Sequence, residues 1–446
     1  MRKALWLFAV LGVVGCSSGK KPEQAATAPA ATPAAPAAPA ASTNVVQTSV
    51  AGVTAETKPL IEQATQLIMK RDFGKAFEQL NAAIKADSKC AAAYFMRAGI
   101  FADAGQNSRS LNDFNSAIEL DPKNADFRNS RGFFFLTRQQ YPAAVKDFSA
   151  AIKLNPMHAQ ACNNRGLANV AQGQFKEAVA DFTEALKLGP QNFDAYNNRG
   201  FAYFQAGDSD KALTDFNSAI RLNPEYLNAY NNRGLLFFKA EKYAEAAAEF
   251  TEAIARDKMN AKYYRHRREA YLKAGMTDEA RVDLVKINWL QELARLNQIA
   301  TRTPKDAAVW VQRANHLVAG DEFETALKDF GTALKLDEKL AAAHVGLAQL
   351  HLKQGKAEQA LAECALATKL GAASEVASIQ GDIYLKMNKF DEAIGAYESA
   401  QRFDAKVAEA YLLRSKERKS KGQSEAADED FRQAVALDPS LEGARQ

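Results

Sequence analysis

Between residues 57 and 441 the apolar positions fall in paired stretches with helical spacing. The two members of each pair are separated by a short turn such as Ala171-Gln172-Gly173-Gln174. The pairs repeat. Pro122, Pro156, Pro190 and Pro224 stand 34 residues apart, and so do Arg97, Arg131, Arg165, Arg199, Arg233 and Arg267. The same step relates Phe114, Phe148, Phe182, Phe216 and Phe250, then Gly132, Gly166, Gly200 and Gly234, then Ala144, Ala178, Ala212, Ala246 and Ala280. In the unit spanning residues 159–192, Gly166, Ala178, Phe182, Ala185 and Pro190 occupy positions 8, 20, 24, 27 and 32. Small residues at 8, 20 and 27 let two helices approach closely, and Phe at 24 fills the space between them. Pro at 32 ends the second helix; five of the eight prolines beyond residue 41 sit at this position. The pattern predicts an all-α chain of stacked helix pairs, each burying its core only against its neighbours.

These positions resemble the tetratricopeptide repeat (TPR). The resemblance covers residues 57–441 and implies an α-solenoid of about eleven helix-turn-helix units in a right-handed superhelix. The units begin near residues 57, 91, 125, 159, 193, 227, 261, 307, 341, 374 and 408. The register breaks once: the units starting at 261 and 307 are 46 residues apart, twelve too many. Ile287, Leu290, Leu293, Leu296 and Ile299 keep helical spacing through the surplus. Residues 286–306 therefore read either as a lengthened second helix ended before Pro304 or as a plain insertion. On the first reading, residues 57–294 form an N-terminal block of seven units, 295–306 a helical connector and 307–441 a C-terminal block of four.

Position 7, usually apolar in the family, is Arg in eight units, and position 23 is acidic in every one of those eight. The correlation points to an Arg–carboxylate pair bridging the two helices of a unit, with an anion-binding arginine row as the alternative. Positions 2, 5, 6, 9 and 12 line the concave groove in this family. Positions 5 and 6 here read Asn163-Asn164, Asn197-Asn198 and Asn231-Asn232, preceded by Asn129-Ser130. Asn at mid-helix is not a choice of helix propensity. Position 6 resembles the asparagine ladder of O-linked N-acetylglucosamine transferases, which implies amides that hold the backbone of an extended polypeptide. The other reading is local bonding between helices. Positions 9 and 12, with Phe201 among them, supply apolar side chains that are part core and part candidate pocket. Lys262, Arg265 and His266 partly resemble a co-chaperone carboxylate clamp: Asn232 and Lys262 match by position, whereas His266 stands where Arg is expected and Asn197 and Phe201 depart from the motif.

Ahead of the repeats, Arg2 and Lys3 precede an apolar run that ends in Val13-Val14-Gly15-Cys16. The run is too short to span a bilayer, which takes ~20 residues. It reads as a signal peptide, residues 1–15, and its end resembles a bacterial lipobox. That resemblance implies cleavage before Cys16, its acylation, and, with Ser17 next, the outer membrane with the protein facing the periplasm. Ala and Pro fill sixteen of the twenty positions from 22 to 41, so residues 16–56 read as an extended tether.

Composition sharpens the picture mainly by exclusion. Lys plus Arg is 57 and Asp plus Glu 53, a net charge of +4, which is a weak basis for nucleic-acid binding. Five His and 4 Cys rule out a zinc array or a disulfide scaffold. His344 and His351 fall at core positions. No motif for a nucleophile, a phosphate loop or a metal site is present. The sequence therefore predicts no catalysis and no cofactor. It predicts a scaffold that binds one or more proteins or peptides and meets the membrane only through its lipid anchor. The alternative is an assembly subunit that oligomerises through its repeat ends.

Overall fold

The computed structural model describes residues 53–444; Cys16, the signal segment and most of the tether lie outside them. Among the described residues there are 22 α-helices and no strands. The first seven pairs are α1 (Lys58–Met69) with α2 (Phe73–Ala86), α3 (Ala91–Asp103) with α4 (Asn107–Leu120), α5 (Ala125–Thr137) with α6 (Tyr141–Leu154), α7 (Ala159–Ala171) with α8 (Phe175–Leu188), α9 (Phe193–Ala206) with α10 (Ser209–Leu222), α11 (Leu227–Lys239) with α12 (Tyr243–Arg256), and α13 (Ala261–Lys273) with α14 (Thr277–Arg302). The other four are α15 (Ala307–Ala319) with α16 (Phe323–Leu336), α17 (Ala341–Lys353) with α18 (Ala357–Lys369), α19 (Ala373–Lys386) with α20 (Phe390–Ser399), and α21 (Ala405–Ser420) with α22 (Ser424–Leu437). The architecture is an α-solenoid of eleven helix pairs, closed by a 3-10 turn over Pro439–Ala444.

The turn inside each pair is set by one residue. Position 15 has positive φ in all eleven pairs. Gly173 and Gly207 take this left-handed conformation without steric cost, whereas Arg71, Gln139, Glu241, Asp321 and Asn388 adopt it against their Cβ. The second helix ends just as regularly: Asn155 and Asn223 are extended at the helix end, as the following proline requires. Asp87 and Asp337 do the same without a proline after them.

Packing within a pair follows the small positions. A Cβ on Gly166 would lie 2.7 Å from the Phe182 ring, so α7 and α8 close to a distance that glycine permits. Phe114, Phe148, Phe182, Phe216, Phe250 and Phe330, all at position 24, are fully buried. Each contributes roughly 2–3 kcal/mol of apolar burial.

Two compact units divide between residues 284 and 285. That boundary falls inside α14, one continuous helix of 26 residues that stops two residues before Pro304. The surplus residues at the register break therefore lengthen the second helix of the seventh pair. Within the second unit, Ile287, Leu290, Leu293 and Leu296 are buried. The Trp289 Nε1–H donates to the His316 carbonyl at 3.0 Å, and the His316 ring stacks on the indole at 5.2 Å.

Candidate functional site

The inner helices carry two kinds of polar joint, the second of them confined to the first unit, and these decide what remains for a ligand. The first is an arginine staple. All eight position-7 arginines pair with the acid at position 23, the contacts including Arg97–Asp113 at 2.7 Å, Arg131–Asp147 at 2.7 Å, Arg199–Asp215 at 2.7 Å and Arg267–Asp283 at 2.6 Å. Arg165–Asp181, Arg233–Glu249, Arg313–Asp329 and Arg414–Asp430 complete the set. Most are bidentate: Arg199 donates from Nε and Nη2 to the two oxygens of Asp215.

A third arm ties each staple to the pair before it. Nη1 of Arg97, Arg131 and Arg233 donates to Asn81, Asn115 and Asn217. That of Arg165, Arg199 and Arg267 donates to the hydroxyls of Ser149, Thr183 and Thr251. One guanidinium thus joins three helices across two repeats. The signal was present in the sequence, since position 25 is Asn, Ser or Thr in six successive repeats, but it became legible only with the arm in view. Apart from Arg233 Nε, these guanidiniums are engaged on every side, so the alternative of an anion-binding row has no free fork to use. Where position 7 has no Arg, the acid at 23 finds another partner: the Glu363 carboxylate meets His344 Nδ1 at 2.7 Å.

One staple is imperfect. Glu249 makes a single bond, from Arg233 Nη2 at 2.8 Å, and leaves Arg233 Nε and its own Oε2 buried without partners. Burial pushes its carboxyl up. The other seven acids are Asp. Glu249→Asp is expected to restore the two-bond geometry and raise stability by about 1 kcal/mol, readable as a higher urea midpoint at unchanged slope. A lower midpoint would show that the longer side chain is needed there.

The second joint is an asparagine seam. Position 6 of one repeat donates to position 5 of the repeat before it. Asn164 Nδ2 reaches Asn129 Oδ1 at 3.1 Å, Asn198 reaches Asn163 at 3.4 Å, and Asn232 reaches Asn197 at 3.0 Å. The last member is His266, whose Nδ1 lies 2.9 Å from Asn231 Oδ1. All seven asparagines are buried, between 0% and 6% exposed. The structure thus places their amides between helices, where they bond to one another, save Asn163 Nδ2 and Asn164 Oδ1, which have no partner among the described residues. Phe201 is buried in the core with Leu167, Phe204 and Phe216. Of the apolar residues at positions 9 and 12, Phe133, Leu167, Val170, Phe204 and Leu235 are buried as well.

Lys262, Arg265 and His266 come together at the end of this wall, on α13. Lys262 is half-buried with no ion pair among the described residues, and burial lowers its pKa. Arg265 is exposed. Burial first, then Lys262 and Arg265, lower His266 to about 4, so its ring is neutral near pH 7. Upstream on the same wall, Asp194 is buried. Tyr226 has its phenol raised well above its usual range by burial and by that carboxylate; neither residue stood out in the sequence. Cys90, Cys162 and Cys364 are free and buried, and burial pushes the Cys364 thiol up to about 11. Among the described residues no cluster could hold a metal ion, and no helix is long and apolar enough to cross a membrane.

A family model described as "Tetratricopeptide repeat" matches residues 62–125, 135–193, 163–226, 197–261 and 231–286. A "Tetratricopeptide repeat-like domain" model matches 286–419, and a further tetratricopeptide repeat model matches 408–441. The chain belongs to the tetratricopeptide repeat family. TPR chains are generally non-catalytic protein-interaction scaffolds that bind peptides or proteins on extended concave surfaces. Among solved structures the chain resembles pilF of Pseudomonas aeruginosa at 20% identity, covering 46% of this chain and 92% of that one with a TM-score of 0.40. It resembles PilW, titled a type IV pilus biogenesis factor, at 18% identity, over 52% of this chain and 100% of that one with a TM-score of 0.40. It also resembles YrrB, titled a TPR protein with an unusual peptide-binding site, at 22% identity, over 40% and 92% with a TM-score of 0.34. These likenesses concern the fold alone. No curated protein sequence matches the chain.

Proposed function

We propose that this TPR protein is a non-enzymatic adaptor, held to the outer membrane by acyl chains on Cys16 and facing the periplasm. Its first unit takes an extended, acidic polypeptide segment of a partner into the groove between residues 125 and 270. The observation that carries the reading is the cationic end of the inner wall. Lys262 is half-buried without an ion pair among the described residues, Arg265 stands exposed beside it, and the only carboxylate on α13 is Glu269. A desolvated ammonium lacking a counter-charge favours a ligand that brings one. The buried asparagines support this wall from behind and keep its helices in register, which lowers the ordering cost of binding. The small residue before Cys16 and the Ser-Ser-Gly after it support the anchor. More than one acyl chain gives stable attachment where one gives only marginal binding.

Crosslinking from membranes tests both parts. Cys16→Ala is expected to leave the outer-membrane fraction and to take up no labelled fatty acid; a variant that stays attached would overturn the anchor. Lys262→Glu with Arg265→Glu is expected to lose a partner that the parent chain holds, at equal melting temperature. A partner held equally by both would remove the cationic end from the binding site.

A further inference from the structure

Position 4 of the inner helix carries no fixed charge in ten of the eleven repeats. It is Tyr94, Tyr196, Tyr230, Tyr264 and Tyr411 in five of them, and Leu60, Cys162, Trp310, His344 and Ala377 in the others. In the third repeat it is Arg128. A helix turns about 100° per residue, so positions 4, 7 and 11 lie on the side away from the groove positions 2, 5, 6, 9 and 12. Arg128 is half-buried on α5 and makes no ion pair or hydrogen bond among the described residues. Its Nε is buried without an acceptor. The sixth repeat shows what a cation needs at this place. There Arg256, at position 30, sits over the Tyr230 ring at 4.2 Å and donates to the Pro224 carbonyl at 2.9 Å. Glu252 at 2.7 Å and Glu225 at 3.7 Å supply its counter-charge. The corresponding positions around Arg128 hold Leu154, Pro122, Ala150 and Lys123. Both acids are gone, and a second cation replaces one of them. Asp121 and Asp126 are turned to Asn124 and His158. Leu154 is 39% exposed, and Met157, three residues further on, is 73% exposed.

We infer that Arg128 and Lys123 hold a carboxylate of a partner protein on the back of the third repeat, and that Leu154 and Met157 seat an apolar side chain next to it. A guanidinium that is partly stripped of water and lacks an acceptor gains most from an oxyanion brought to it. Arg beside exposed apolar side chains is also the composition of an interface hot spot. One placed carboxylate fits better than an anionic membrane, because Glu119, Asp121 and Asp126 offset Lys123, Arg128 and Lys153 over the wider surface. The chain's own leading segment is a poor occupant, with one acid, Glu23, in residues 1–52. All four residues of the site belong to the first unit, four repeats before its end. The inference goes beyond the groove reading, since the site lies on the other side of the inner helix and uses none of the groove residues.

Fluorescence anisotropy tests it on the full chain carrying Lys262→Glu and Arg265→Glu, so that the cationic end of the groove takes no part and the two readings fail separately. The probes are three labelled synthetic peptides. One alternates Leu with Glu, the second has Gln for every Glu, and the third has Ser for every Leu. The first is expected to bind at least about tenfold more tightly than either of the others. Arg128→Tyr places at position 4 the residue found in five other repeats. It should weaken the first peptide at least about tenfold, leave the Gln peptide unchanged, and raise the melting temperature, because a buried donor without an acceptor is gone. Leu154→Ser with Met157→Ser should weaken the first peptide with no fall in melting temperature, since both residues are exposed. Equal binding of the Glu and Gln peptides would overturn the inference. Binding unchanged by Arg128→Tyr, with a lower melting temperature, would make Arg128 a structural residue only. Flotation of the Cys16→Ala chain with vesicles of phosphatidylethanolamine and phosphatidylglycerol, lost on Arg128→Tyr, would put a lipid phosphate at the site in place of a protein carboxylate. Self-association abolished by Arg128→Tyr would put a second copy there.

Discussion

Asp181→Ala is expected to cost the first unit about 2–4 kcal/mol and to lower its melting temperature by roughly 5–15 °C. The Asp181 carboxylate accepts from Arg165 Nε, from Arg165 Nη2 at 2.6 Å and from Asn169 Nδ2 at 2.8 Å. Removing it leaves three donors without their acceptor and a guanidinium only 29% exposed without its counter-charge. Breaking a fully buried ion pair costs ~3–5 kcal/mol, and the partial exposure of Arg165 puts this case at the lower end. Burial pushes the Asp181 carboxyl up, and the Arg165 and Asn169 bonds offset that only in part. The intact pair is thus worth much less than its half-removal costs. Replacing both partners, as Arg165→Met with Asp181→Leu, should recover most of the loss. Thermal melts and hydrogen exchange of the full chain measure both effects, and exchange should quicken first in α7 and α8 and their neighbours. An unchanged melt for Asp181→Ala would mean that the staple contributes nothing to stability.

The staple also shows which parts of this molecule can be read from its sequence. A period of 34 residues repeated many times supplies its own internal control, and from it the helix pairs, the turns and the Arg–acid correlation all follow. Position 24 is Phe because a ring fills the gap that Gly at position 8 leaves, and the structure places Phe182 against Gly166 accordingly. The third arm is harder to see, because Asn, Ser and Thr share only the capacity to accept one bond. The asparagine seam is hidden for a different reason. Its partners are 35 residues apart, one more than the repeat, so Asn163 bonds to Asn198 and not to its own equivalent, Asn197. An amide suits a peptide backbone as well as another amide, so residue type alone leaves both readings open; the depth of burial is what only the fold supplies.

Seam and staple together explain why the inner wall is a preorganised surface. From α5 to α13 each inner helix is joined to the next through position 5 to position 6, and to the preceding outer helix through Arg Nη1. Between successive repeats a pair of polar joints flanks an apolar core, and a polar joint left half-satisfied costs more than it contributes when whole. Slippage by a turn would strand several buried groups at once, which fixes register more sharply than apolar packing alone. On the groove reading proposed above, ligand specificity would fall to the few groups outside the joints, chiefly Lys262 and Arg265.

The seam's one departure from Asn gives the second large effect, an acid-labile joint at His266. Its Nδ1 lies 2.9 Å from Asn231 Oδ1, and burial with Lys262 and Arg265 holds its pKa near 4 against 6.5 for the free side chain, so the folded ring is neutral near pH 7. The unfolded chain therefore binds a proton that the folded chain refuses. The sign follows: this contribution to stability is complete above about pH 6.5, falls as pH drops through 6.5 to 4, and levels off below. The loss amounts to roughly 2–4 kcal/mol. His266→Asn places at position 6 the residue found in the three preceding repeats, and its amide can donate to Asn231 in the same way. The variant should match the parent near pH 7. It should then melt progressively higher than the parent on acidification, with the gap opening between pH 6.5 and 4 and carboxylate effects cancelling in the difference. Lys262→Gln should shift the parent's acid loss to higher stability by relieving one like charge on the protonated ring. A parent and His266→Asn variant whose melting temperatures fall in parallel across that range would show that the ring accepts its proton in place, without opening the seam.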